Sequence, residues 1–321
     1  MDDDMTMDRV SAGRNDGFEA VVCIPTFRRP QHLAKTLASL SAQVTTARFA
    51  VVVVENESER REGQAVADKA FAEGHLHGLC VVESQQGNCS AINRAFATGL
   101  ERFPEAPYLL MIDDDEVAAP TWLDEMLRAA RDSQADIVGG PVMRVFEADP
   151  DNAAKLHPLF NSPALPSGFV PTLFGSGNCL ISRRVFEALG SPAFDLRFNF
   201  LGGGDMDFFT RCRRKGFKSY WNSAAIAVET VPVQRTATDW MIRRGVTTGV
   251  INYTIDRKHH PHASGYLMLW GKNFASLALS FARAAELYRK TRHWLPALHP
   301  VLVSVGRALA ALGYSTAPYK G

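Results

Sequence analysis

Residues 113–116 are four consecutive acids, three Asp and one Glu, and they directly follow the apolar run 108–112. An apolar run of this length is typical of a buried strand. Carboxylates crowded at the end of such a strand raise each other's pKa, so a cation must neutralise them unless they lie in open solvent. Mg²⁺ or Mn²⁺, held by one or two carboxylates and by substrate phosphates, would neutralise them. An acidic turn entering a helix near Pro120 is the alternative, because acids suit helix N-termini.

The acids belong to an alternation of strand and helix patterns. Apolar and β-branched runs predict strands at 19–24, 49–54, 79–82 and 108–112. Apolar residues at helical spacing predict helices between them, at 31–43, 64–73 and 89–102. This order predicts an α/β fold with a doubly wound, mostly parallel sheet.

Polar residues follow three of the predicted strands, at Thr26, at Glu55 and Asn56, and at 113–115. Ligands bind at the carboxyl ends of strands in open α/β sheets, so we expect these residues to converge on a ligand. The first strand is not followed by a GxGxxG motif, and the three glycines at 202–204 come too late in the chain. A dinucleotide-dependent oxidoreductase is therefore disfavoured.

The second half of the chain continues the alternation less regularly. We expect helices at 120–132, 182–189 and 205–215, and strands at 137–146 and 218–228. Segment 148–171 contains five prolines and predicts a long surface loop. Long loops of this kind often face a substrate.

The composition sets broad limits on the class of protein. The 321 residues are 46% hydrophobic and 21% charged, which is typical of a globular protein. The net charge of +1 argues against a nucleic-acid partner. Five cysteines without a CxxC spacing indicate reduced thiols in a cytoplasmic protein. Residues 1–17 are polar and acidic, so we expect a disordered leader and not a signal peptide.

The C-terminal region has a different charge balance. Residues 257–321 carry nine Lys or Arg and one Glu. Two apolar helical patterns, 266–281 and 295–312, lie within this basic region. These features predict amphipathic helices that contact an anionic membrane surface. A capping subdomain or an oligomer interface is the alternative.

Seven segments, taken together and in order, resemble inverting glycosyltransferases of family 2 with the GT-A fold. The likeness covers residues 20–245 and, within the family, is to bacterial enzymes that build exopolysaccharide repeat units. The segments are 24–29, 54–58, 87–93, 113–115, 175–183, 204–211 and 234–240.

The resemblance implies a nucleotide-sugar-binding half at 18–120, an acceptor-binding and catalytic half at 121–250, and a basic helical extension at 251–321. It implies transfer of a sugar from a nucleoside diphosphate, a UDP-sugar in the first instance, to a saccharide or lipid-linked saccharide acceptor. We expect a cytoplasmic enzyme at the inner face of the cell membrane. A nucleotidyltransferase and a non-catalytic nucleotide-sugar-binding protein are the alternatives.

The resemblance also implies roles on the metal side of the site. Asp115 is the first expected ligand of Mg²⁺ or Mn²⁺, and Asp113 contacts the metal or the ribose. Asp114 and Glu116 orient the loop. Glu229 stands where many family members have a metal-binding His, and an oxygen ligand there would suit either ion.

The remaining implied roles concern the donor and the chemistry. Thr26, Glu55 and Asn93 are expected to hold the nucleoside and its phosphates, and Arg235 to pair with the diphosphate. Asp205 is expected to take the proton of the acceptor hydroxyl, although an Asp there could also cap a helix.

Two further residues of the resembling segments carry open alternatives. Asp207 either contacts substrate or pairs with Arg211 on the same helix. Trp240 either stacks on a sugar or belongs to the core.

Overall fold

The computed structural model describes residues 17–162, 164–173 and 175–318. The predicted leader therefore lies outside the described residues, apart from Gly17. The strands are β1 (Ala20–Thr26), β2 (Phe49–Glu55), β3 (Gly78–Val82), β4 (Tyr108–Ile112), β5 (Glu116–Ala118), β6 (Ile137–Gly139), β7 (Val142–Phe146), β8 (Gly168–Val170), β9 (Asn178–Ser182), β10 (Ser219–Trp221) and β11 (Ala227–Val231). The α-helices are α1 (Pro30–Ser41), α2 (Glu62–Ala72), α3 (Asn88–Arg102), α4 (Trp122–Ser133), α5 (Asn152–Lys155), α6 (Arg183–Leu189), α7 (Gly204–Arg214), α8 (Thr238–His259), α9 (Ala263–Thr291) and α10 (Trp294–Ala311).

The described strands form two sheets. The larger sheet has eight strands in the order β3-β2-β1-β4-β9-β6-β10-β8. Strands β3, β2, β1 and β4 pair in parallel, β9 runs antiparallel between β4 and β6, and β8 is antiparallel to β10. The smaller sheet has three strands in the order β5-β11-β7. The predicted α/β fold with a mostly parallel sheet is confirmed.

Both faces of the large sheet are covered by helices, which explains the continuous apolar runs in β1, β2 and β4. Alternate β1 residues Val21 and Cys23 belong to a core cluster with α3, α6 and α7. Their neighbours Val22 and Ile24 belong to a second cluster with α1, α2 and α4. The strands of this half are therefore fixed by burial on two sides.

Several predicted elements differ from the structure. The strand predicted at 137–146 is two strands, β6 and β7, which lie in different sheets. They separate at Gly140, where an added Cβ would lie 2.1 Å from the carbonyl oxygen of Ala225. The strand predicted at 218–228 likewise divides into β10 and β11, and the predicted loop 148–171 contains α5, a 3₁₀ turn at Pro158–Phe160 and β8.

The three C-terminal helices pack together. Helix α8 packs closely against α10, which also packs against α9. Gly249 of α8 and Gly306 of α10 permit a close approach, because a Cβ on either would lie 2.0 Å from a backbone oxygen of the other helix. The predicted domain boundary at 250 falls inside α8, so this helix joins the two regions.

Buried His157 and half-buried His299 connect α10 to segment 148–171. The rings of His157 and His299 lie 5.0 Å apart in an edge-to-face arrangement. Burial lowers the pKa of each imidazole to about 4. Both histidines are therefore neutral at pH 7 in the folded protein.

Acid should destabilise this contact in a defined window. Between pH 6.5 and about 4, these histidines bind protons in the unfolded chain but stay neutral in the folded protein. The free energy of unfolding therefore falls as the pH falls, by roughly 1.4 kcal/mol per pH unit for each histidine. His299→Phe removes one of these groups, so its unfolding free energy should depend less steeply on pH. Urea unfolding at pH 7, 6 and 5 measures the slope. Exposed His75→Gln is the matched control, and an unchanged slope in His299→Phe would contradict the expectation.

Candidate active site

The predicted convergence of polar strand ends is confirmed. Thr26 at the end of β1 is in register with Glu55 at the end of β2. β4 is the other neighbour of β1, and the acids follow it. The hydroxyl of Thr26 donates to Oδ2 of Asp114 at 2.7 Å. The three strand ends therefore meet at one edge of the sheet.

The acidic loop is held by residues of the β1–α1 segment. The buried hydroxyl of Thr36 lies 2.9 Å from the carbonyl oxygen of Asp114 and 2.7 Å from that of Glu116. Arg29 Nη1 lies 3.2 Å from Asp114 and 2.7 Å from Asp115. The side-chain contacts of Asp114 hold the loop in its orientation, which is the role that the resemblance implies. Arg29 received no role from the sequence, since its contacts depend on folding.

Negative charge in the loop is only partly compensated. Burial, reinforced by Asp115 and Asp114, raises the pKa of the Asp113 carboxyl well above its usual range. Burial and the charge of Asp113 do the same to the pKa of Glu116. Glu116 also accepts from the backbone N–H of Asp113 at 3.2 Å. Crowded carboxylates of this kind favour a bound cation.

The donor set fits a hard divalent ion that takes few ligands from the protein. Within residues 17–162, 164–173 and 175–318, no three His, Cys, Asp or Glu side chains are grouped so that they could hold a metal ion. Asp113 and Asp115 provide carboxylate oxygens near one another, which suits an ion completed by substrate phosphates and water. The side chains of Asp113, Asp115 and Glu229 are therefore not grouped as three ligands of one metal ion.

Glu229 lies in β11, where both of its carboxylate oxygens are paired. Oε1 accepts from Arg235 at 2.6 Å, and Oε2 lies 3.2 Å from Nε of Arg144. Arg235 also approaches Asp115, at 3.8 Å. Arg144 faces Glu229 across the β7–β11 pair. The sequence offered no signal for this partner, because strand register decides the contact.

Asp205 lies in the first turn of α7. The N-cap position is Gly203, whose φ of +84° favours glycine, so Asp205 does not cap the helix. Its Oδ1 accepts from the backbone N–H of Met206 at 2.8 Å. Burial raises the pKa of the Asp205 carboxyl, although the charge of Arg244 partly opposes this rise. A carboxylate in such a setting binds protons more readily than an exposed one.

Segment 175–177 lies between Asp205 and the acidic loop. A Cβ built on Gly177 would lie 2.6 Å from Oδ2 of Asp113. A Cβ built on Gly175 would lie 3.8 Å from Oδ2 of Asp205. The charge of Asp205 is near enough to contribute to the raised pKa of Asp113. The carboxyl groups of Asp113 and Asp205 therefore lie near one another beside this segment.

Three residues expected to contact the nucleoside make internal bonds. Both oxygens of Glu55 accept from backbone N–H groups, those of Glu57 at 2.8 Å and Gly63 at 2.7 Å. The amide of Asn93 exchanges two bonds of 2.8 Å with the backbone of Phe194. Thr26 donates to the acidic loop, as described above. Their roles in binding donor stay predictions.

The remaining site residues have structural partners. Asp207 is fully buried and pairs with Arg211 at 2.9 Å, which confirms the ion pair along the helix. It also pairs with Lys258 of α8 at 2.7 Å. Trp240 stacks against Phe160 at a ring distance of 6.4 Å and packs on a small core cluster.

One buried amide that the sequence did not single out shapes the loop before α3. Asn199 is bonded to both the backbone and the hydroxyl of Ser90, at 2.9 and 2.8 Å. Gly87, with a φ of +136°, lies so close that a Cβ there would be 2.3 Å from the Asn199 side chain. This contact fixes the start of α3 beside the strand ends.

Solved structures with a similar architecture identify the fold. A mannosyltransferase from Pyrobaculum calidifontis, solved in complex with GDP-Man and Mn²⁺, is similar with a TM-score of 0.58 and 17% identity, over 91% of this chain and 87% of the other. TarS of S. aureus is similar with a TM-score of 0.51 and 14% identity, over 92% of this chain and 54% of the other. The predicted GT-A fold, with a helical C-terminal region, is confirmed.

The family follows from the sequence match. The family model described as Glycosyl transferase family 2 matches residues 21–190, more than half of the chain, so the chain belongs to this family and is a glycosyltransferase. It is 27% identical over 280 residues to the succinoglycan biosynthesis protein ExoM of Rhizobium meliloti (strain 1021), covering 85% of each chain. It is 23% identical over 217 residues to an N-acetylglucosaminyltransferase of Rhizobium leguminosarum bv. phaseoli, covering 66% of this chain and 49% of the relative.

Gly177→Ala tests the close approach to Asp113. The added methyl would displace the carboxyl groups of Asp113 and Glu116, so binding of Mn²⁺ should weaken at least about ten-fold, or ~1.4 kcal/mol. Electron paramagnetic resonance of free Mn²⁺ in the presence of UDP measures the affinity. Gly168→Ala is the matched control, because a Cβ there meets no atom within 4 Å. Equal Mn²⁺ affinity in both variants would contradict the expected crowding.

Proposed function

We propose that this protein is an inverting glycosyltransferase that moves a sugar from a nucleoside diphosphate to an acceptor hydroxyl during assembly of a bacterial surface polysaccharide. The observation that carries the proposal is that Asp205 and Asp113 both lie beside segment 175–177, near enough for their charges to interact. Inversion needs a base on one side of the sugar and a stabilised leaving group on the other. The similarity to ExoM supports the polysaccharide context.

Asp113 and Asp115 are the proposed protein ligands of Mg²⁺ or Mn²⁺. The bound ion would stabilise the negative charge that the departing diphosphate gains. Arg235, close to Asp115 and 29% exposed at its side chain, is placed to add a guanidinium to the same diphosphate. Arg29, which is fixed beside Asp114 and Asp115, keeps the loop in position while the donor binds.

The donor is proposed to be a nucleotide sugar, with UDP as the first nucleotide to test. Its nucleoside would lie at the ends of β1 and β2, where Thr26 and Glu55 adjoin. Since the carboxylate of Glu55 is bonded to two backbone N–H groups, its proposed contribution is to fix the pocket wall. Asn93 similarly holds the segment around Phe194 beside α3.

Asp205 is the proposed general base. Burial raises the pKa of its carboxyl, which makes the carboxylate a stronger proton acceptor than an exposed Asp. The backbone N–H of Met206 and the charge of Arg244 partly oppose this rise in the pKa. The carboxylate takes the proton as the acceptor oxygen attacks the sugar.

Asp205→Asn should abolish transfer while it spares donor binding. The amide keeps the shape of the side chain but cannot accept the proton, and loss of a general base lowers turnover by about 10²–10⁴-fold. Transfer to a saccharide acceptor gives the rate, and calorimetry with UDP and Mn²⁺ gives the donor-side affinity. Wild-type transfer rates would refute the base, whereas loss of UDP binding would show a wider disruption of the site.

The C-terminal region is proposed to contact an anionic membrane from the cytoplasmic side. Leu267, Phe274 and Phe281 follow one another at seven-residue intervals on α9 and are 75%, 68% and 59% exposed. This apolar face is followed by basic residues at 283, 289, 290 and 292. An exposed apolar face with adjoining basic residues is typical of a helix lying in the membrane interface. This location would suit a lipid-linked saccharide acceptor.

One helix of the described residues satisfies the length and hydropathy of a membrane span. It is α10, with a mean hydropathy of 1.2 over 18 residues. It packs against both α8 and α9, and 33% of these 18 residues are buried within the fold. Membrane contact is therefore assigned to the exposed face of α9.

Phe274→Asp should weaken membrane binding. A charge in the centre of the apolar face reduces the apolar area that the helix can bury in the membrane. Partition onto vesicles of phosphatidylcholine and phosphatidylglycerol should therefore fall about ten-fold or more. Flotation of the full chain measures the bound fraction. Val44→Asp is the matched control, because Val44 is 65% exposed in a loop far along the chain from α9. Equal flotation of both variants would remove the membrane contact from α9.

A further inference from the structure

Glu229 is placed where strand register surrounds it with charge. It is central in the three-stranded sheet, opposite Arg144 of β7 and Glu116 of β5. Facing carboxylates on neighbouring strands are unfavourable, and the charge of Glu229 contributes to the raised pKa of Glu116. Positive partners beside Glu229 would offset this unfavourable pairing.

Two guanidinium groups supply that charge. Arg235 donates to one carboxylate oxygen and Arg144 approaches the other, while the Glu229 side chain is only 14% exposed. A carboxylate shared by two guanidinium groups has its negative charge compensated on both oxygens. A divalent ion approaching Glu229 would also meet two positive charges. These contacts argue against Glu229 as a metal ligand, because they engage both of its oxygens, whereas both guanidinium contacts of Asp115 go to Oδ2.

The same contacts hold Arg235 at the edge of the acidic loop. Arg235 lies on the 3₁₀ turn Val233–Thr236, and its Nη1 is fixed by Glu229. Its Nη2 lies 3.8 Å from Oδ2 of Asp115, which Arg29 contacts from another direction at 2.7 Å. The Arg235 guanidinium is thus held beside Asp115. A diphosphate bound to a metal ion on Asp115 would lie close to it.

We propose that Glu229 is a positioning residue for Arg235 and not the third protein ligand of the divalent ion. This inference rests on the proposed function, because it assumes that a nucleoside diphosphate binds beside Asp115. Arg144, Glu229 and Arg235 together carry a net charge of +1, so the trio presents positive charge to the diphosphate. The protein then contributes Asp113 and Asp115 to the ion, and the substrate completes its coordination.

Glu229→Gln separates the two roles, because it keeps the shape of the side chain and removes its charge. Affinity for Mn²⁺ alone, measured by electron paramagnetic resonance, should stay within about two-fold of the wild type. Affinity for UDP in saturating Mn²⁺, measured by calorimetry, should fall about ten-fold, or ~1.4 kcal/mol. The donor KM should rise more than kcat falls, since the substitution disturbs binding through Arg235.

A double-mutant cycle tests whether Glu229 acts through Arg235. If it does, the combination of Glu229→Gln with Arg235→Gln should weaken UDP binding no more than Arg235→Gln alone. Asp113→Asn is the positive control for loss of a metal ligand. Glu147→Gln is the matched control for removal of an acid near the turn, because Glu147 is exposed and accepts only a long bond, 3.2 Å, from the Val233 N–H.

Three results would overturn the proposal. A ten-fold or greater loss of Mn²⁺ affinity in Glu229→Gln would make Glu229 a ligand. Unchanged affinity for both Mn²⁺ and UDP would remove its positioning role, and additive effects in the cycle would separate it from Arg235. If the wild type binds neither UDP nor GDP with Mn²⁺, the proposed function fails first, and this result is distinct from the other three.

Discussion

The arrangement of the segments around the acidic loop depends on the carboxyl groups that are buried at the end of β4. Asp113, Asp114 and Glu116 are held within one short turn, and burial raises the pKa of each. Such a turn costs free energy unless its charges are bonded or neutralised. The hydroxyl of Thr26 and the guanidinium of Arg29 provide that compensation from the neighbouring β1–α1 segment, and the hydroxyl of Thr36 holds backbone carbonyl groups of the turn. A bound divalent cation would supply the positive charge that the turn still lacks.

The small sheet extends this constraint to the second half of the chain. Strand β5 begins at Glu116 itself and pairs with β11, which brings Glu229 and the following turn to the acidic loop. Strand β7 then supplies Arg144 by register. Three segments that are distant in sequence therefore meet because one acidic turn continues directly into a strand. Electrostatic compensation and strand pairing are satisfied by the same arrangement.

The sequence predicted those elements that are determined by local pattern. β1, β2 and β4 are continuous apolar runs because both faces of each strand are buried, and their polar ends identify the site edge. β9 was missed because its place between β4 and β6 depends on antiparallel pairing across a long separation. The partners of Glu229 and Asn93 were missed for a similar reason. Residue type suggested that these polar groups would bind a ligand, whereas their bonds to the protein depend on tertiary structure.

The division of carboxylates between two sides of the site has a chemical reason. A carboxylate that binds a cation loses basicity, because the cation stabilises its charged form. The base must instead remain able to accept a proton, so it needs a separate environment. Asp205 obtains one from burial in the first turn of α7, and the glycines of segment 175–177 let it approach the acidic loop without an intervening side chain at positions 175 and 177. In the proposed mechanism, closeness without a shared cation would let one pocket stabilise the leaving diphosphate and activate the acceptor.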